Sequence, residues 1–129
     1  MKILNIIFII FSILPVACKK DKKTEVFQNY LSRKFKLNIP EQECIFLIIP
    51  NNQCGNCFNT YPHASILNQK NTYIITSLNP MFFSKYSKVL FDSTNELQKL
   101  DFLNFSNTLI MTRNRSINSL ENNIDLFSD

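Results

Sequence analysis

Two short apolar runs constrain most strongly what this chain can fold into. Cys44 to Ile49, "CIFLII", and Asn71 to Ser77, "NTYIITS", are each of strand length, rich in branched side chains and free of charge. Such a run is the pattern of a strand buried on both faces, as found in sheets covered above and below. Between them lies a polar stretch from Asn51 to Thr60, "NNQCGNCFNT", and residues 58–67 are able to form a short helix. Strand, helix, strand at this spacing is a βαβ unit, so the chain is expected to be α/β.

The flanking segments extend that unit. From Thr24 to Leu37, "TEVFQNYLSRKFKL" places Val26, Phe27, Tyr30, Leu31 and Phe35 at helical spacings, with Pro40 expected to stop the helix. The segment Asn79 to Phe91, "NPMFFSKYSKVLF", fits either a helical turn or a short strand around Val89 to Phe91. In "STNELQKLDFLNF", Ser93 and Glu96 have capping-box spacing, and Leu97, Leu100 and Leu103 or Phe102 make the core face of a predicted helix, with Asp92 and Glu96 as turn and cap residues. Thr108 to Met111, "TLIM", is a third apolar strand, "TRNRS" a polar turn, and Ile117 to Leu120 a returning edge strand. The tail from Glu121 has room for a couple of helical turns. At 129 residues the chain holds one domain at most.

The N-terminus has a different grammar. Met1 and Lys2 are followed by "ILNIIFIIFSILPVA", Ile3 to Ala17, nearly all apolar, and then by Cys18 and "KKDKK". A basic start, an apolar stretch shorter than the roughly 20 residues of a membrane span, and a small residue before a processing point describe a secretory signal over residues 1–17. The cysteine after Val16 and Ala17 resembles a bacterial lipobox, although Pro15 stands where that motif usually has leucine. The resemblance implies lipidation of Cys18 and attachment to a membrane through acyl chains. Residues 18–36 are then a lipidated tether and helix, residues 37–129 the domain, and the compartment the cell envelope, facing the periplasm or the exterior. Lys19, Lys20, Lys22 and Lys23 carry much of the net charge of +4 and read as a solvated tether able to rest on anionic headgroups. No basic stripe interleaved with aromatics occurs elsewhere, so nucleic acid is not an expected partner.

The chain has a single glycine, Gly55, between Cys54 and Cys57. A CxxC at the exit of a buried strand and the start of a helix has a specific use. The first thiol, Cys54, sits where unpaired backbone N–H groups and the positive helix end stabilise a thiolate. Cys57 lies one turn on and is the resolving thiol, while Gly55 lets the backbone turn tightly with no side chain in the way of a partner. The alternative is a structural disulfide or a pair of inert thiols. Zinc held by Cys44, Cys54, Cys57 and His63 is disfavoured, because Cys44 to Ile49 as a strand spans about 16 Å at roughly 3.3 Å per residue. Cys44 reads as a small buried residue, with an intermolecular disulfide as the functional alternative, and His63 as a surface residue. Paired carboxylates, phosphate loops and Ser/His/Asp sets do not rise above background, and neither a cofactor nor a metal is implied.

These residues together resemble the thioredoxin superfamily, in particular its envelope-anchored thiol-disulfide oxidoreductases. The resemblance covers roughly residues 37–120: a buried strand before "CGNC", Pro62 five residues after Cys57, a second buried strand, and "NTLIM" at the start of the next. It implies a three-layer sandwich around a central mixed sheet, with the C-terminal helix shortened or missing. It also implies Cys54 and Cys57 as the redox pair, Gly55, Asn56 and Pro62 as motif support, and Ser106, Asn107 and Thr108 as the place where an extended substrate docks. Partners would be envelope protein thiols or disulfides and a membrane redox partner. Three positions depart from the family: Gln53 replaces a customary tryptophan, Ile48 stands where many members bury an acid, and Asn107 where they carry a cis-proline. A cis bond without proline costs about 2.5–4 kcal/mol, so the Ser106–Asn107 bond is expected to be trans. The expected function is thiol-disulfide exchange, and the alternative a redox-inactive lipoprotein that uses the same scaffold for binding.

Overall fold

The computed structural model describes residues 21–51, 71–86, 88–104 and 106–125. Cys18, Cys54, Gly55, Asn56, Cys57, Pro62 and His63 lie outside them.

The first helix, α1, spans Lys22–Phe35. Asp21 caps it, its Oδ1 accepting from the Thr24 amide at 2.7 Å. Hydrogen bonding to Thr24 holds the Asp21 carboxyl below the usual carboxylate range. At the other end Lys36 takes the left-handed conformation, φ 55°, and its amide donates to Ser32 O while that of Leu37 donates to Leu31 O. The stop is therefore made by Lys36 ahead of Pro40, and not by the proline. The chain beyond is folded back onto α1 by Gln28, whose Oε1 accepts from the Ile39 amide at 2.8 Å. Phe27, Tyr30 and Leu31 are fully or almost fully buried, which makes α1 part of the domain core.

Among the described residues five strands follow: β1 (Cys44–Ile49), β2 (Thr72–Thr76), β3 (Val89–Phe91), β4 (Thr108–Arg113) and β5 (Ser116–Glu121). They form one mixed open sheet in the order β3-β2-β1-β4-β5. β1 is parallel to β2 and β2 to β3, whereas β4 runs antiparallel to β1 and β5 antiparallel to β4. The chain is thus α/β, with one described α-helix on a five-stranded sheet. β1 is the middle strand, which explains why its apolar run is continuous: both faces are covered.

Alternation along β1 builds two cores. Phe46 and Ile48 face α1 together with Ile75 and Ile110, and the Phe27 ring meets Phe46 edge-on at 5.2 Å. Leu47 and Ile49 face the other way with Ile74 and Phe83, the latter supplied by a 3-10 helix, η1 (Pro80–Phe83). The β4–β5 hairpin closes through Asn114 and Arg115, both at positive φ, the two-residue geometry whose twist matches that of the strands. Their amides are satisfied by Glu41 O and Pro40 O at 2.9 and 3.3 Å.

The helix expected after Ser93 is not continuous. The segment forms two 3-10 turns, η2 (Glu96–Lys99) and η3 (Asp101–Leu103), broken at Leu100. The Ser93–Glu96 capping box does not form; Asn95, in the left-handed region, precedes η2, and the Leu97 amide is taken by the Asp92 carboxylate at 2.9 Å. Leu97, Leu100 and Leu103 still reach the α1-side core, because an i, i+3, i+6 pattern stays on one face of a 3-10 path as readily as of an α-helix. Val89 to Phe91 is a strand, at one edge of the sheet, and no helix follows β5 among the described residues.

Candidate functional site at the carboxyl edge of the sheet

Because β1, β2 and β3 are parallel, Ile49, Thr76 and Phe91 end at one edge of the sheet, and open α/β sheets place their ligand sites at such an edge. The exits of β1 and β2 are tied together there. The Thr76 hydroxyl donates to Ile49 O at 2.8 Å and accepts from the Leu78 amide at 3.0 Å. Pro50 and Asn51 continue from β1, and Cys54 follows Ile49 by five positions in the sequence.

The antiparallel strand β4 begins at this same edge. Ile48 pairs with Thr108, which sets Ser106 and Asn107 beside the exit of β1. Each is fixed by its neighbours. The Ser106 hydroxyl donates to Leu103 O at 3.1 Å and accepts from the Asn123 amide at 3.2 Å. Asn107 is buried, and its carbonyl accepts from the Ile124 amide at 3.0 Å. The Thr108 hydroxyl, fully buried, points to Asn122 Oδ1 at 2.8 Å. The Ser106–Asn107 bond is trans, and no described peptide bond is cis. Of the residues expected to act, the structure therefore brings Ser106, Asn107 and Thr108 to the end of β1, while the two cysteines, Gly55, Asn56 and Pro62 fall outside the described residues.

Behind the exit lies an apolar gap of about 10 Å³ lined by Ile48, Pro50, Leu97, Leu100, Leu103 and Ser106. It has room for about one water, so it is a packing gap rather than a ligand pocket. Ile48 is 1 % exposed and has apolar neighbours, and it supplies no proton.

A buried acid does occur at this edge, at a position where the sequence predicts only a turn residue. Asp92 directly follows β3 and is fully buried on the α1 side. Its Oδ2 accepts from the Tyr30 hydroxyl at 3.0 Å and from the Leu97 amide at 2.9 Å, and its Oδ1 lies 3.4 Å from Lys34 Nζ. Lys34 also meets the Thr94 hydroxyl. Burial by itself would raise the Asp92 pKa, but the Tyr30 hydroxyl, the Leu97 and Glu96 amides and the Lys34 charge outweigh it and hold the carboxyl below the usual range. Tyr30 moves the opposite way: burial, then the Asp92 charge, push its pKa well above that of a free phenol. The signal available in the sequence was an aspartate immediately after a strand and five residues before an apolar helical face. β2 separates Asp92 from β1, about 10 Å at roughly 4.8 Å per strand, so the carboxylate braces α1 rather than facing the β1 exit.

Cys44 is at the opposite end of β1. Its thiol is buried, donates to Asn71 O at 3.1 Å, and has its pKa raised by burial, which describes an inert thiol. Among the described residues no three His, Cys, Asp or Glu side chains converge to hold a metal, and no helix is long and apolar enough to cross a membrane.

Comparison with models of known protein families, with curated proteins and with solved structures returns no match.

Proposed function

We propose that the chain catalyses thiol-disulfide exchange in the cell envelope through Cys54 and Cys57, on a thioredoxin-like scaffold tethered through lipidated Cys18. The observation that carries this reading is the position of β1. It is the central strand, buried on both faces, parallel to β2 and antiparallel to β4, and it ends five residues before Cys54 with Ser106 to Thr108 alongside. A thiol delivered from that edge would have the start of β4 beside it and the sheet behind it.

In the chemistry proposed, the Cys54 thiolate attacks one sulfur of a partner disulfide, forming a mixed disulfide and expelling the other partner sulfur as a thiolate. The Cys57 thiolate then attacks Cys54 Sγ, closing a Cys54–Cys57 disulfide and releasing the partner's second thiolate, so that two electrons pass from this chain to the partner. An envelope dithiol must return those electrons for a further turn; run backwards, the same steps oxidise a partner dithiol. Replacing Cys57 with serine removes the resolving step. The C57S chain should therefore accumulate mixed disulfides through Cys54, seen as reducible higher-mass bands in envelope extracts. Absence of any such adduct while Cys54 still alkylates would remove the support for exchange.

A second reading has one specific observation in its favour. Asn107 lies buried on a trans bond where the family resemblance calls for a docking proline, and its carbonyl is already engaged by Ile124. A scaffold that binds a partner without redox chemistry fits that arrangement, and it would keep its activity when both Cys54 and Cys57 are changed to serine.

A further inference from the structure

α1 presents more charge to solvent than its core role requires. Along the side of the helix facing η2 and η3 lie two adjoining hollows that share Val26. One, about 470 Å³, is lined by Lys22 and Lys23 with Asp101, Asn104 and Asn122. The other, about 640 Å³, is lined by Asn29, Ser32, Arg33, Lys36 and Lys99. Five cations thus meet a single carboxylate, that of Asp101, among the described lining residues. Arg33 is bonded to Glu96 at 3.0 Å, yet its side chain is 65 % exposed, and only one of its nitrogens is engaged in that contact. Lys34, by contrast, turns inward to Asp92 and takes no part.

We propose that this cationic groove is a docking surface for anionic phospholipid headgroups, holding the α1 side of the domain against a membrane. Lys22 and Lys36 stand about 21 Å apart along the helix at 1.5 Å per residue. A spread of that length suits a plane of phosphates better than one small anion. The asparagine and serine side chains between the cations add neutral donors for phosphate oxygens, and apolar lining is limited to Val26, Phe102, Leu120, Tyr30 and Leu100. The choice of a bilayer as the source of phosphate rests on the anchored reading of Cys18. Lys22 follows it by four positions, so even a fully extended link is only about 14 Å long.

The test is flotation of the full chain with vesicles of phosphatidylcholine alone and of phosphatidylcholine mixed with phosphatidylglycerol. Binding to neutral vesicles reads the N-terminal anchor, the excess on anionic vesicles reads the basic residues together, and the part of that excess lost with Arg33, Lys36 and Lys99 reads the groove. The excess should be at least about tenfold at low salt and fall as salt is raised. It should fall at least about fivefold in Arg33→Gln/Lys36→Gln/Lys99→Gln, and by a smaller factor in Lys36→Gln/Lys99→Gln, which leaves the Arg33–Glu96 pair intact, with circular dichroism unchanged; Lys19, Lys20, Lys22 and Lys23 remain in both variants. Equal binding to both vesicle types, or an excess that the triple change leaves unaltered, overturns the proposal, as does poly-glutamate binding without an anionic-vesicle excess. Loss of neutral-vesicle binding with the excess retained would instead remove the anchor and leave the groove.

Discussion

The Tyr30 hydroxyl on α1 donates to the Asp92 carboxylate at the end of β3 at 3.0 Å, across 62 positions of sequence. This contact, with Lys34 and the Leu97 amide, joins the first element of the domain to its open sheet edge and to the start of η2. Losing the Tyr30 hydroxyl leaves Asp92 its Leu97 amide and Lys34 contacts, whereas losing Asp92 removes the acceptor of all three groups, so the two substitutions are not equivalent. Asp92→Ala should cost about 3–5 kcal/mol, because it strands Lys34, the Tyr30 hydroxyl and the Leu97 amide together. Tyr30→Phe should cost about 1–3 kcal/mol. In urea denaturation the double variant should fall short of the sum by at least about 0.5 kcal/mol; strict additivity would mean that the two groups do not interact.

The same pair gives stability a window in pH. Asp92 has a folded-state pKa below its ordinary 3.8, so the folded chain holds the ionised form better than the unfolded chain does. Its contribution is fully present above about pH 4 and is lost as pH falls from there through the folded pKa. Tyr30 is shifted upward from 10.0, so its contribution is present below pH 10 and is lost as pH rises beyond it. Chemical denaturation across pH should show both limbs, with the alkaline one reduced in Tyr30→Phe and the acid one in Asp92→Asn. Unchanged limbs in these variants would show that the losses arise elsewhere.

Ile48 gives a prediction of opposite sign. It is 1 % exposed, between Phe46 and the Leu97–Leu103 turns, with Thr108 as its partner across the sheet. Placing an aspartate there supplies the acid that the family resemblance leads one to expect, but with no cation to meet it. Ile48→Asp should destabilise by about 3 kcal/mol or more at neutral pH. Its carboxyl would be pushed up by burial, so the loss should shrink as pH falls through that raised pKa towards about 4, where the unfolded aspartate titrates, and change no further below it. A loss independent of pH would show that volume and shape, not charge, set the cost.

The sheet was legible where burial leaves a periodic mark. "CIFLII" and "NTYIITS" announce strands because both faces are covered, and the helix from Lys22 shows its core through Phe27, Tyr30 and Leu31. What the sequence concealed are the places where one residue serves two roles. Ser93 and Glu96 have the spacing of a capping box, but Asp92 already holds the Leu97 amide, and the left-handed Asn95 leads into a 3-10 turn. Spacing could not tell α from 3-10 there, since leucines three apart suit both. Pro40 looked like the stop of α1, whereas Lys36 adopts the left-handed cap without being glycine. Asp92 looked like a turn residue because its partners lie far away in the sequence, and no local pattern records a tyrosine 62 positions earlier. At the β1 exit, the placement of Ser106 to Thr108 follows from the antiparallel register, which the spacing of the strands did not determine.

The central claim is best tested by a redox titration of the full chain in detergent, with alkylation of free thiols and mass analysis of the peptides at each poise. Thiol-disulfide exchange requires a reversible two-electron transition confined to Cys54 and Cys57, between about −120 and −270 mV where exchange catalysts lie, while Cys44 stays reduced throughout. A Cys54–Cys57 bridge that persists far below that range, or two thiols that never pair, would contradict it and leave a binding scaffold in its place.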